Sequence, residues 1–415
     1  MRSDFRHAVL AACLAATVAH AQEAAPPAKA AVPVIPVIAD ATCWNAQPHD
    51  VLAALRQCAH KGLQAVALPV RSGPGGAPYA ASSYAQTACQ PGADCVALAD
   101  VLALKPAPAL VLQTSPALLD EVQAAVLQAD AAARVQVQPM LERPIGDAAP
   151  DTFAPGLSYW HMARNAPRPM MVHVLEIDLT TPGLSFVTTP GVPDGASEFV
   201  AEKTSSFARR EQLTAAINAT YFLPFDGGHL LDKPYVPAAG QPVTVDGVSI
   251  ARGHLDSGYA SGDPRSNGSL CIQGRHVAIT LHACPAGTTE AVGAGPVLML
   301  GGKTQALEPK RRDYYLQTEP RTAIGLDKAR RRMWWVVVDG RQAGYSEGMT
   351  LPELTALLRE LGADAAMNMD GGGSSTMVLR RGDEPAVVNS PIHTGVPGRE
   401  RPVGNHLGLR IDAVP

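Results

Sequence analysis

The chain has no basic surplus: 34 lysines and arginines stand against 38 acidic residues, a formal net charge of −4. A protein that binds a polyanion normally shows an excess of cationic side chains or a basic face, so nucleic acid is not an expected partner. Two short basic runs, Lys310-Arg-Arg312 and Lys328-Ala-Arg-Arg-Arg332, read as solvated turns. Beyond the first twenty or so residues, no stretch has the unbroken apolar length needed to cross a bilayer. The cysteine spacings lack a second Cys-x-x-Cys-like half, which argues against a structural zinc site. Histidine is scattered rather than clustered, and His393 and His406, lone residues near the carboxyl end, read as structural.

At the start, Arg2 and Arg6 precede an apolar run from Ala8 to Val18 and then Ala19-His20-Ala21, the order of a secretory signal. The sequence therefore predicts a signal over residues 1–21 and a secreted or periplasmic mature protein of bacterial type. Leu10-Ala-Ala-Cys13 resembles a lipoprotein box, but its apolar run would be too short, so anchoring at Cys13 is the minor alternative. The six other cysteines form an even set suited to an oxidising compartment. They fall into sequence-local pairs, predicted as Cys43–Cys58, Cys89–Cys95 and Cys271–Cys284.

With 415 residues the chain suggests two domains. An Ala/Pro-rich leader over 22–39 precedes an alternation of helices and strands over 40–145, which predicts a small α/β domain with a substrate-binding or structural role. A Pro-rich connector over 146–164 leads to a second region, 165–413, expected to hold a mixed sheet flanked by helices. The whole is thus of α+β (mixed α/β) class. Within the second region Met171–Asp178 alternates as a strand and is expected to pair with Leu184–Thr188 across Pro182-Gly183. Ser197–Glu211 has helical spacing, and Thr214–Asn218 reads as a short buried strand.

The most informative stretch is Ala365-Ala-Met-Asn-Met-Asp-Gly-Gly-Gly-Ser-Ser-Thr-Met377. An apolar strand stops there on an acid, three glycines and three hydroxyls, a composition that can line a pocket but cannot build a core. Upstream, Met333–Asp339 is a buried strand. Thr350-Leu-Pro-Glu353 is a helix start with a capping box, and Gly362 is placed to end that helix. Strand, helix and strand predict a βαβ unit that delivers Asp339 and Asp370 to one rim of the sheet.

Asn218-Ala-Thr-Tyr-Phe222, Pro320-Arg-Thr-Ala-Ile-Gly325, Val338-Asp-Gly-Arg341, Tyr345-Ser-Glu-Gly-Met349, Asn368–Met377, Val388-Asn-Ser-Pro391 and Glu400-Arg-Pro-Val-Gly-Asn405 occur in this order. Together they resemble the phosphodiester glycosidase family over roughly residues 165–413. The resemblance implies release of a sugar from a sugar-1-phosphodiester, glycan or lipid-linked, leaving a phosphomonoester. Chemically, Arg321 and Arg401 could hold the phosphodiester anion. Gly371, Gly372, Gly373, Ser374, Ser375 and Thr376 could present backbone amides and hydroxyls to it. That glycine run is not followed by the Gly-Lys-Ser/Thr of a P-loop, and Ser374 and Ser375 lack a nucleophile-elbow context. Asn218, Asn368 and Asn405 are further substrate-binding candidates. Glycosidic cleavage usually needs two carboxyl groups, for which Asp370 and Asp339 are the leading pair, with Asp263 and Glu347 in reserve. This reading names no certain cofactor and leaves a divalent metal open. Two alternatives stay open: a phosphodiesterase with a divalent metal on Asp339 and Asp370, and a non-catalytic glycan-binding envelope protein.

Overall fold

The computed structural model describes residues 50–60, 66–81, 89–92, 95–114, 118–139, 143–144, 146–193, 198–224, 238–259, 266–342, 345–393 and 397–412. The expected signal and leader, Cys13, Cys43 and Asp263 lie outside the described residues. Cys89 bonds to Cys95 and Cys271 to Cys284, with Cα–Cα separations of 5.7 and 5.6 Å. Cys58 is also disulfide-bonded. Among the described residues no helix is long and apolar enough to cross a membrane.

The amino-terminal region holds a five-stranded sheet and three helices. Three parallel strands, Val66–Ser72, Leu110–Thr114 and Val135–Pro139, carry two antiparallel strands, Pro78–Ala81 and Cys95–Ala97, on one side. Apolar residues from the helices Val51–His60, Leu98–Ala103 and Leu119–Gln128 close its core around Leu68, Leu110 and Leu112.

Beyond it lies an eight-stranded antiparallel sheet. Its order is Lys303–Thr304, Val297–Leu300, Ala365–Asn368, Arg321–Leu326, Arg332–Val338, Met170–Asp178, Leu157–Arg164 and Asp151–Ala154. One face is covered by the helix Leu351–Leu361, whose Leu354, Leu357 and Leu358 pack with Val174, Trp334 and Val336. The other face meets two five-stranded sheets through Leu175, Trp335, Met367, Ile217, Leu409 and Val292. With helices and several antiparallel sheets, the fold is α+β.

Three sequence expectations are corrected here. Residues 151–164 are not a connector but two strands of the large sheet, because Leu157, Met162 and Ala163 bury against its edge. Leu184–Thr188 does not pair with Met170–Asp178, whose two edges are already taken by Leu157–Arg164 and Arg332–Val338; it pairs with His406–Ile411. The helix expected over 197–211 begins only at Thr204, and Phe199–Val200 is a strand.

The helix before the glycine-rich stretch forms as its sequence dictates. Thr350 Oγ1 accepts from Glu353 N (3.3 Å), Glu353 Oε2 accepts from Thr350 N (2.8 Å), and Gly362 closes the helix at φ 101°. Arg168 also hydrogen-bonds the Glu353 carboxylate. Thr350→Ala should therefore destabilise the fold by about 1 kcal/mol, read as a lower urea midpoint with an unchanged slope. An unaltered midpoint would show that tertiary packing alone holds the helix.

The strands on either side of this helix are parallel, as a βαβ unit requires, but they are not neighbours. Arg321–Leu326 runs antiparallel between them. Its first residue therefore sits at the edge where the other two strands end, and that places Arg321 beside Asp339 and Asp370.

Candidate active site

A cleft of about 430 Å³ opens at this edge, lined by Tyr221, Phe222, Leu223, Asp246, Tyr314, Glu319, Arg321, Arg341, Asp370, Gly371, Gly372, Gly373 and Arg401. Asp370 is held by its backbone. Its N–H donates to Ala219 O (2.9 Å) and its carbonyl accepts from Asn218 Nδ2 (2.7 Å). Asn218 Oδ1 also accepts from Thr322 Oγ1 (2.8 Å) and Thr376 N (3.0 Å). One buried amide thus ties both ends of the glycine loop to the neighbouring sheet, and Gly372 N adds a bond to Pro320 O (2.9 Å).

The glycines allow arginines to come close. Gly372 has φ 58°, and a Cβ there would lie 3.2 Å from an Arg341 guanidinium nitrogen; at Gly373 it would lie 2.4 Å from one of Arg401. A side chain at Gly373 would displace the Arg401 guanidinium from this position. Arg321 is 2% exposed and donates through Nε to Met349 O and through NH2 to Gln317 O, both 2.9 Å. Burial pushes its pKa down, yet an arginine remains a cation at neutral pH. Arg341 pairs with Glu319 at 2.5 Å. Arg401 donates to His393 Nδ1 (3.1 Å) and Ser374 Oγ (3.3 Å).

Of the sequence candidates, Asp370, Gly371, Gly372, Gly373, Arg321 and Arg401 meet in the cleft. The others stand behind it. Asn368, expected to bind substrate, instead donates to the Tyr221 hydroxyl (2.9 Å) and to Gly295 O (2.9 Å). Asn405 accepts from Thr220 N (2.9 Å) and donates to Ser249 Oγ (3.2 Å). Ser374, Ser375 and Thr376 are at most 1% exposed. Packing of this stretch against the sheet edge takes these side chains out of the cleft.

Asp339 is the principal correction. It is 1% exposed and does not line the cleft. Its Oδ1 accepts from Asn389 Nδ2 and Ser390 N, both 2.9 Å, and its Oδ2 from Ser390 N (3.0 Å) and the Tyr345 hydroxyl (3.2 Å). His173 Nε2 lies 3.0 Å from the same Oδ2, and Tyr159 Oη 2.8 Å from His173 Nδ1. Burial first, then Asp339, push the Tyr345 hydroxyl pKa up and keep it a donor. With these donors on both oxygens, the carboxylate is turned into this network rather than toward the cleft. Among the described residues no group of three or more His, Cys, Asp or Glu converges to hold a metal. Glu347, held in reserve, does not line the cleft; its N–H donates to Pro169 O. Ser346 beside it is buried, its hydroxyl donating to Asp339 O and accepting from Met171 N.

Sequence reasoning passed over Asp246, Glu319, Arg341, Tyr221 and Tyr314. Tyr221 and Arg341 lay within quoted motifs without being weighed. The available signals were Asp246-Gly247 after a strand and Glu319 immediately before Pro320-Arg321.

His393 and His406 are buried and neutral. Burial lowers both to about 3, helped at His393 by Arg401, Arg399 and Lys203. Their folded pKa lies below the unfolded value of about 6.5, so their stability contribution is full above that pH and is lost as pH falls through it. Each histidine should remove about 1.4 kcal/mol per pH unit below 6.5. Buried Glu290 and Glu400, whose pKa values burial raises, act in the opposite sense, so a difference measurement is needed. The stability gap between wild type and His406→Gln should shrink by about 1.4 kcal/mol between pH 7 and 5.5. A gap that does not change with pH would mean His406 is not neutral in the fold.

Residues 211–410 match the family model of phosphodiester glycosidases. Among solved structures, a hypothetical protein from Synechocystis is 14% identical, over 62% of this chain and 62% of its own, with a TM-score of 0.43; the present chain thus spans less than two thirds of that relative. The zebrafish N-acetylglucosamine-1-phosphodiester α-N-acetylglucosaminidase catalytic domain, auto-inhibited by its pro-peptide, is 20% identical over 65% of this chain and 91% of its own, with a TM-score of 0.46. No curated protein matches the chain.

Proposed function

We propose that the phosphodiester glycosidase domain formed by residues 211–410 hydrolyses a sugar-1-phosphodiester at the bond between the anomeric carbon and the phosphate oxygen. The observation that carries this reading is the cleft itself, where Asp370 sits on a glycine loop with Arg321, Arg341 and Arg401 around it. A phosphodiester carries its charge on two non-bridging oxygens, which a guanidinium fork can bind together. Arginines placed where the phosphate leaves also stabilise the charge that grows there as the bond breaks. Phosphate departs without strong acid assistance, so one carboxylate facing the anomeric carbon supports the reaction. Asp370 is that group, either attacking the carbon or activating the water, while Asp246 and Glu319 complete the acidic lining. Water adds its oxygen to the anomeric carbon, the C–O bond breaks with its electrons on the phosphate oxygen, and sugar and phosphomonoester leave. Tyr221 and Tyr314 offer flat surfaces to the sugar ring. The disulfides support a site of action outside the reducing cytoplasm.

The test is hydrolysis in ¹⁸O-labelled water. Label in the released sugar is expected. Label in the phosphate would mean P–O cleavage and would overturn the proposal in favour of a phosphodiesterase.

A further inference from the structure

The amino-terminal α/β region falls outside the family match, yet it touches the loop that carries an arginine of the cleft. Ile35–Pro415 form one compact unit. Gln113, at the carboxyl end of the central parallel strand Leu110–Thr114, is fully buried, and its Nε2 donates to Pro397 O. Carboxyl ends of parallel strands are where such sheets usually receive ligands; here that edge receives the neighbouring region. Pro397 opens the loop 397–400, held at a base where His393 N donates to Arg399 O (3.0 Å) and Ile392 bridges Arg399. Directly after that base comes Arg401, whose Nε donates to His393 Nδ1 and which lies over Gly373.

We propose that Gln113 is a positioning residue for Arg401: the amino-terminal region holds the loop, the loop holds His393 and Arg401 in register, and Arg401 in turn binds the phosphate of the substrate. The amino-terminal region is then part of the anion-binding apparatus without touching the ligand. The inference rests on the reading of Arg401 as a phosphate-binding group. A buried amide is a suitable anchor, since a lost donor leaves the Pro397 carbonyl unpaired and frees the loop to move. Small displacements of a binding arginine are enough to weaken an anion site.

The experiment measures inorganic phosphate binding to the full chain by calorimetry, with thermal unfolding as the control for folding. Arg401→Ala should weaken phosphate by about 10- to 100-fold, as expected for loss of a charge-assisted bond. Gln113→Met, which keeps length and apolar bulk but removes the donor, should weaken it by about 10-fold with little change in unfolding temperature. The double variant should bind as poorly as Arg401→Ala alone, because one residue acts through the other. If Arg401→Ala retains wild-type affinity, the phosphate role of Arg401 is wrong. If Arg401→Ala loses affinity while Gln113→Met does not, or if the two losses add, the positioning role alone is wrong. Should Gln113→Met fail to fold, Gln113→Leu, which also lacks a donor, answers the same question.

Discussion

Asp370→Asn is expected to lower turnover of a sugar-1-phosphodiester by about 10²–10⁴-fold, the usual contribution of a positioned acid–base group. The loss should appear in kcat, since the amide is isosteric and phosphate is held by the arginines. Folding should change little, because the N–H and carbonyl of residue 370, bonded to Ala219 and Asn218, are kept in the variant. Phosphate affinity measured on the same variant separates chemistry from binding. Turnover near wild type would move the catalytic role to Asp246 or Glu319, the two other carboxylates of the cleft.

Asp339→Ala should fail in a different way. Removing this carboxylate takes a buried partner from Ser390 N, Asn389 Nδ2, the Tyr345 hydroxyl and His173. Breaking a buried, hydrogen-bonded charge typically destabilises by about 3–5 kcal/mol, and urea unfolding should show a loss of that order. The damage should reach the cleft as well, because Asn389 Nδ2 also donates to Ser375 O (3.0 Å) and Asn389 Oδ1 accepts from Met377 N (2.8 Å). Asp339 thus supports, through Asn389, the end of the glycine loop that Asn218 also holds at Thr376 N. A variant as stable as wild type would contradict the network and return Asp339 to the list of groups available for chemistry.

These two aspartates show how far the sequence can be read. Both end strands at one rim, and both precede glycine, so pattern alone treats them alike. The difference lies in what surrounds them. Asp339 meets Ser390 and Asn389, some fifty residues later, and His173, more than a hundred and fifty earlier. Asp370 lines the cleft with the arginines of three other segments. The same holds for the hydroxyls of Ser375 and Thr376, which look like ligand donors in the sequence and are buried in the structure.

What local chemistry dictates was legible. The capping box at Thr350 and Glu353, the left-handed Gly362, the apolar stripe of Leu354, Leu357 and Leu358, the local disulfides of Cys89 and Cys271, and the buried strands around Trp335 and Met367 follow from neighbouring residues and from hydrophobic period. The order of motifs likewise determined the family resemblance. Only the tertiary structure decided that Arg321–Leu326 inserts between two parallel strands, that Leu184–Thr188 joins a different sheet, and which polar side chains face the cleft. Strand pairing and the burial of a carboxylate depend on partners far away in the chain. A stretch such as Asn368–Thr376 announces a site, but the segments packed around it determine which of its atoms remain free to act.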